Sequence, residues 1–332
     1  MSFLYGITGS TNLRQISAAL PDASTAMLPL LYVAFFLLLA GLGFKIAAAP
    51  FHMWAPDVYQ GAPTPIAAYL AVVSKAAGFA MLFRIIYGMF GVEAIKVLFN
   101  QPSGAELANM TKDVSLSLMV LAAIAMVIGN VTALRQTNMK RLLALSGVAN
   151  AGYLLVPIAN QFAILHYANF SEFIYYLTAY ALMNIGMFAV IILMEQSNGH
   201  EELSGFAGLY YRAPFTAAAV VLLVLSLTGI PVTAGFFGKV YIMLGTVQTY
   251  HYWLAAIMIV TSVISFYYYF GLIRQMFMRS DDRPSEVKVP FLLGLTCWLC
   301  AAASVLLGLF FHRRCCGLSK RFFTYQKDLF IL

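Results

Sequence analysis

Three lysines, Lys45, Lys75 and Lys239, lie inside the apolar runs "LAGLGFKIAAAPFH", "AYLAVVSKAAGFAML" and "LSLTGIPVTAGFFGKVYIML". An ammonium group at the centre of a bilayer costs about 2.5–3.5 kcal/mol on insertion scales. A long stem can carry the charge to the interface when the residue lies near a helix end. Lys75, about a dozen residues into its run and about fifteen from its end, is too deep for that at roughly 1.5 Å per residue. A structural ion pair is the other unreactive role, yet Glu172 and Glu195, the acids nearest to these runs, stand at run ends. The role that carries chemistry is proton transfer. Burial penalises the charged form, a nearby carboxylate favours it, and a lysine whose partner moves can be loaded with a proton and emptied.

Two of the lysines stand beside helix breakers. Pro50 follows Lys45 by five residues, while Gly229, Pro231, Gly235 and Gly238 precede or flank Lys239. Proline removes an amide donor and kinks a helix. Irregular backbone at membrane depth survives only inside protein or beside water. Two interrupted helices with a lysine before one break and after the other fit an inverted repeat around sites near the midplane.

The elements that must hold these lysines are membrane helices. The 332 residues are 61% hydrophobic and only 10% charged, with a mean hydropathy of +0.82. A soluble domain usually carries about 25% charged residues, so a water-soluble fold is excluded. Eight apolar runs are long enough to cross a bilayer: 27–50, 64–90, 115–135, 142–159, 172–194, 214–246, 252–274 and 289–311. The short run 142–159 contains "SGVANAGYLL", whose small residues allow close helix approach, so it is expected to be buried among its neighbours. The fold class is therefore all-α, a polytopic helix bundle.

The net charge of +7 does not indicate nucleic acid, because no basic helix face interleaved with aromatics is present. The basic residues concentrate in loops. Arg135, Lys140, Arg141, Arg212, Arg279, Arg283 and Lys288 fall on one side, which the positive-inside rule makes cytoplasmic. Cys297 and Cys300 form a C-W-L-C in an apolar run and read as buried apolar residues. With Cys315 and Cys316 they offer neither a zinc set nor a disulfide framework. No cleavable signal peptide is visible at the start.

The blocks "FKIAAAPFHMWAPDVYQGAPTP", "VSKAAGFAMLFRII", "IGNVTALRQTNMKRLLALSGVANAGYLL" and "LSLTGIPVTAGFFGKVY" resemble, in order, the subunit N family of proton-pumping NADH:quinone oxidoreductases. These are membrane-arm subunits of respiratory complex I. The resemblance covers about residues 4–311. "DVYQGAPTP" and a lysine at 239 favour subunit N over the related subunits L and M and the large subunits of multi-subunit cation/proton antiporters.

The resemblance implies an antiporter-like fold of fourteen helices with two inverted five-helix repeats. Lys45, Lys75 and Lys239 then match the lysines of a central hydrophilic axis that carries protons. Lys140 matches a lysine near the cytoplasmic surface, and His52 and Asp57 match positions beside the first broken helix; these three are candidates for relay or surface access. The resemblance places FMN, iron–sulfur clusters and quinone on partner subunits and none on this chain. It implies neighbours of the subunit K and M types in an inner or equivalent energy-transducing membrane.

On this scheme 1–26 is the end of a preceding helix and its loop, and 27–90 the C-terminal part of the first repeat. The second repeat is 91–280, the last membrane helix 281–311, and 312–332 an atypical tail. The family begins about six helices earlier, so the chain is expected to be a fragment without the acid that partners Lys45. The tail "HRRCCGLSKRFFTYQKDLFIL" departs from the family and resembles a shifted reading frame. A cation/proton antiporter subunit without electron transfer and a truncated, non-transporting scaffold are the alternatives.

Overall fold

The computed structural model describes residues 2–20, 27–98, 105–160, 169–198, 201–279, 287 and 289–329, with side chains assigned within 2–20, 27–89, 109–160, 170–197, 201–279, 287 and 289–310. Arg283, Lys288 and the tail side chains, Cys315 and Cys316 among them, lie outside that description. Among the described residues every element is helical, and seven spans are long and apolar enough to cross a membrane. They correspond to seven of the eight expected runs. The other run, 214–246, is two shorter helices.

The chain forms two compact units, Met1–Ile174 with Ile242–Ile264, and Tyr175–Tyr241 with Ser265–Leu332. The first unit opens with two short helices, α1 (Ser2–Thr8) and α2 (Leu13–Ala19), before the membrane helix α3 (Leu28–Ile46). After a break come α4 (Trp54–Gly61) and α5 (Thr64–Tyr69), then one π-helical turn, Leu70–Ser74, leading into α6 (Lys75–Leu98). The hairpin α7 (Ala105–Ala133) and α8 (Met139–Ala159) follows. The unit also takes the start of α9 (Asn169–Asn198), the end of α12 (Ala234–Gln248) and the start of α13 (Tyr252–Met278).

Helix α8 is the buried core of this unit, with every residue except Arg141 buried. Its glycine and alanine content explains why. A Cβ on Gly129 of α7 would sit 2.5 Å from the Ala149 amide nitrogen, and one on Gly152 would sit 2.7 Å from the Ala122 carbonyl oxygen. Only small residues let the α7 and α8 backbones approach this closely, which replaces the hydrophobic driving force that lipid cannot supply. On α8, the buried Tyr153 hydroxyl meets Thr261 Oγ1 at 2.9 Å and Ser262 Oγ at 3.0 Å. The expectation of a fully packed helix at 142–159 is met.

The second unit holds the rest of α9, α10 (Leu209–Arg212), α11 (Pro214–Thr228), the start of α12, the rest of α13, and α14 (Phe291–Leu329). Gly186 of α9 packs on Leu223 of α11. Ser226 of α11 and Ser304 of α14 share a hydrogen bond of 2.7 Å. Cys297 and Cys300 are buried and free, as expected.

Candidate functional site

Both broken helices end by the same device. At the end of α3 the Ala48 amide donates to the Gly43 carbonyl at 2.9 Å and the Ala47 amide to Phe44 at 3.1 Å, with Ala47 left-handed at φ 55°. At the end of α11 the Ile230 amide donates to Leu225 at 2.9 Å and the Gly229 amide to Ser226 at 3.2 Å, with Gly229 at φ 87°. This pairing is the Schellman motif, which satisfies two of the last carbonyls of a helix. The position of the breaks follows from the prolines. A helical proline clashes with the carbonyl four residues back. That carbonyl belongs to Ile46 for Pro50, and α3 ends at Ile46. For Pro231 it belongs to Leu227, one residue before the end of α11.

Pro231 has no amide hydrogen for the Leu227 carbonyl, and Val232, at φ 87°, cannot continue the helix toward Thr228. Two carbonyls at the negative end of the α11 dipole are left over. Lys239 fills both. Its Nζ donates to the Leu227 carbonyl at 3.0 Å and to the Thr228 carbonyl at 3.1 Å, with the side chain only 8% exposed. Gly229 leaves room for the lysine stem, since a Cβ there would approach Lys239 Cδ to 3.3 Å. Gly235 lets α12 begin against α11 and donates its amide to Ser226 Oγ at 3.2 Å. Gly238 does the same against the ring of Tyr176 on α9. The breakers Pro231, Gly235 and Gly238 therefore build a socket in which backbone dipoles hold a buried ammonium.

Lys75 is 1% exposed and is the first residue of α6 after the π-helical turn. Such a turn is a common mark of functional sites in membrane and soluble helices alike. One turn further, at Gly78, α3 crosses close by: a Cβ there would meet Ile46 Cγ2 at 2.7 Å and Lys45 Cγ at 3.4 Å. The structure thus brings Lys45 and Lys75 to adjacent turns of packed helices. It differs from expectation in the burial of Lys45. Its stem passes Gly78 of α6 while the residue as a whole is exposed.

The other three candidates lie on or beside α4. Lys140 is 3% exposed, and its Nζ lies 3.4 Å from the carbonyl of Ala62, the C-cap residue of α4. Asp57 is engaged by Arg141, whose Nη1 reaches Asp57 Oδ1 at 2.6 Å and Gln60 Oε1 at 2.9 Å. Arg141 was read from the sequence only as a loop charge, and nothing in the spacing pairs positions 57 and 141. The contact brings the 51–63 and 135–141 segments together at one end of the unit. Burial lowers the pKa of His52 below the ordinary histidine value, only partly offset by the Pro50 backbone, so its imidazole favours the neutral form.

The Asp57–Arg141 pair is solvent-facing, with side chains 73% and 33% exposed. Exposed pairs contribute roughly 0–1 kcal/mol. Asp57→Asn is therefore expected to lower the thermal midpoint of the protein only slightly. Scans in low and high salt check this, since screening should shrink the difference.

With this geometry in hand, the likeness to known proteins is informative. The family model described as "NADH:quinone oxidoreductase/Mrp antiporter, TM" matches residues 1–265. "NADH-quinone oxidoreductase subunit N" of Paenibacillus sp. (strain JDR-2) is 54% identical over all of this chain and 62% of its own length. The subunit N of Brevibacillus brevis is 49% identical over 93% of this chain and 59% of its own. The chain thus spans about three-fifths of the relatives it matches. Among solved structures, a chain of respiratory complex I from Thermus thermophilus with bound aureothin superposes with a TM-score of 0.72 at 31% identity, over 93% of this chain and 62% of that one. A chain of the Mrp complex from Dietzia sp. DQ12-45-1b shares the fold, with a TM-score of 0.76 at 19% identity over 94% of this chain and 61% of that one. The chain belongs to the NADH:quinone oxidoreductase/Mrp antiporter transmembrane family, and the curated relatives it resembles at about half identity are its subunit N members.

Proposed function

We propose that this chain is the proton-carrying part of a subunit N in the membrane arm of a proton-translocating NADH:quinone oxidoreductase. The observation that carries the reading is the Lys239 socket: a buried ammonium at a helix break, held by the two carbonyls that Pro231 and Val232 leave unsatisfied. A lysine held by two carbonyl dipoles has a proton affinity that depends on how closely those carbonyls approach it. Small movements of α11 against α12 alter the two hydrogen bonds and with them the affinity for the proton. Lys75, on α6 after its π-helical turn, is the second station, and Lys45 beside it is the third. Electron transfer elsewhere in the assembly drives the movement, so this chain performs no redox chemistry itself. FMN, iron–sulfur clusters and quinone belong to partner subunits in this proposal. Subunits of the K and M types flank the chain within an inner or equivalent energy-transducing membrane.

Mild-detergent purification of the tagged protein from its native membranes tests this reading. The expected result is a large assembly with iron–sulfur absorbance and NADH:quinone reductase activity. Recovery with small hydrophobic partners, no such absorbance and sodium-driven proton exchange would assign the chain to a cation/proton antiporter instead.

A further inference from the structure

A broad groove between α2, α3 and α6 carries chemistry that the proton path does not use. It encloses about 1490 Å³ and is lined by Arg14 and Ser17 of α2, Leu38 and Leu42 of α3, and Met81 and Arg84 of α6. Leu13 packs on Gly88, where a Cβ would meet Leu13 Cβ at 3.4 Å, so α2 lies across the far end of α6. Arg14 and Arg84 are both exposed. Among the described residues neither guanidinium has an ion-pair or hydrogen-bond partner. Ser17 is 5% exposed, and its buried Oγ has no hydrogen-bond partner either.

The depth of this group fits a lipid headgroup. The span Thr64–Met89 has 26 residues, or about 39 Å at 1.5 Å per residue, against a hydrocarbon core of about 30 Å. Arg84 is five residues from its end, close to the edge of the core, and at the opposite end of the span from the Asp57–Arg141 contact. Two guanidinium groups with no partner among the described residues, and a hydroxyl donor, line the groove together with its apolar wall. Guanidinium forks match the two free oxygens of a phosphodiester, and Leu38, Leu42 and Met81 lie where acyl chains would run. Two positive charges repel a headgroup that carries its own ammonium.

We propose that this groove binds one anionic glycerophospholipid, its phosphate between Arg14 and Arg84 with Ser17 donating to it, and its chains against α3 and α6. The inference stands apart from the proton path.

Photoactivatable phosphatidylglycerol, with the label in an acyl chain, tests it in native membranes that hold the complete assembly. Cross-linked peptides from Leu38–Leu42 or Met81–Arg84 are expected, competed by unlabelled phosphatidylglycerol and not by phosphatidylcholine. Arg14→Gln with Arg84→Gln should cut the labelling roughly tenfold, the scale of losing a charge-assisted hydrogen bond, with Ser17→Ala intermediate. Equal labelling by the phosphatidylcholine probe would reduce the groove to a plain lipid-facing surface. Absence of labelling in the wild-type assembly would mean that protein fills it. Either result overturns the proposal, and both are read on the wild type, so neither depends on the variants folding.

Discussion

Lys75→Ala is expected to lower NADH-driven quinone reduction and proton pumping together by at least about tenfold, equivalent to about 1.4 kcal/mol on the limiting barrier, while the assembly remains intact. The reason lies in the opposing signs of its two effects. Lys75 is 1% exposed at the start of α6. As a buried cation it is a burden on insertion of about 2.5–3.5 kcal/mol, so its removal should ease membrane insertion. The cavity left by alanine opposes that gain, and Lys75→Met, which fills most of the volume, separates the two. Quinone reductase assays beside native gels provide the check. Low activity in both variants with a normal band assigns the loss to the missing proton site. Normal activity in Lys75→Met would remove Lys75 from the path.

Gly235→Ala is expected to be the most damaging single-methyl change in the second unit. A Cβ at 235 would lie 1.8 Å from the Ser226 carbonyl oxygen, a backbone atom that cannot swing away. Ser226 is itself tied to Ser304 at 2.7 Å, so α11 cannot yield without disturbing α14. Overpacking of this kind costs about 1–3 kcal/mol or more. The damage reaches Lys239 directly, because it stands one turn beyond Gly235 and its two carbonyl acceptors belong to the residues just after Ser226. Both thermal stability and pumping should fall. Gly271→Ala is the matched control: a Cβ there meets nothing within 4 Å, and helix propensity favours alanine by up to about 1 kcal/mol. Comparable melting of the two variants in the same detergent would contradict the close-packing account of the break.

Much of this site was legible in the sequence because it rests on strong local signals. Pro50 and the Gly229–Pro231 pair mark the breaks, and the structure ends α3 and α11 where proline sterics require. The small residues of 142–159 announced a helix packed on all sides. Lysine depth within the apolar runs identified Lys75 and Lys239 as buried. What the sequence did not disclose depends on tertiary placement. The exposure of Lys45 depends on which helices cover α3. The grip of Arg141 on Asp57 joins positions 84 residues apart. The π-helical turn before Lys75 lies in "LAVVS", which carries no local signature of it. The Leu227 and Thr228 acceptors depend on the fold of the break, where Lys239 comes back from the next helix to meet them.

The most direct measurement of the central claim is NADH-driven acidification of inverted membrane vesicles containing the protein in its complete assembly, compared with the same vesicles carrying Lys239→Met. Methionine fills the socket but cannot donate to the Leu227 and Thr228 carbonyls or hold a proton. The account predicts that acidification falls steeply at equal assembly content. Acidification at the wild-type rate in Lys239→Met vesicles would contradict it, and would leave Lys239 as a helix cap with no part in proton transfer.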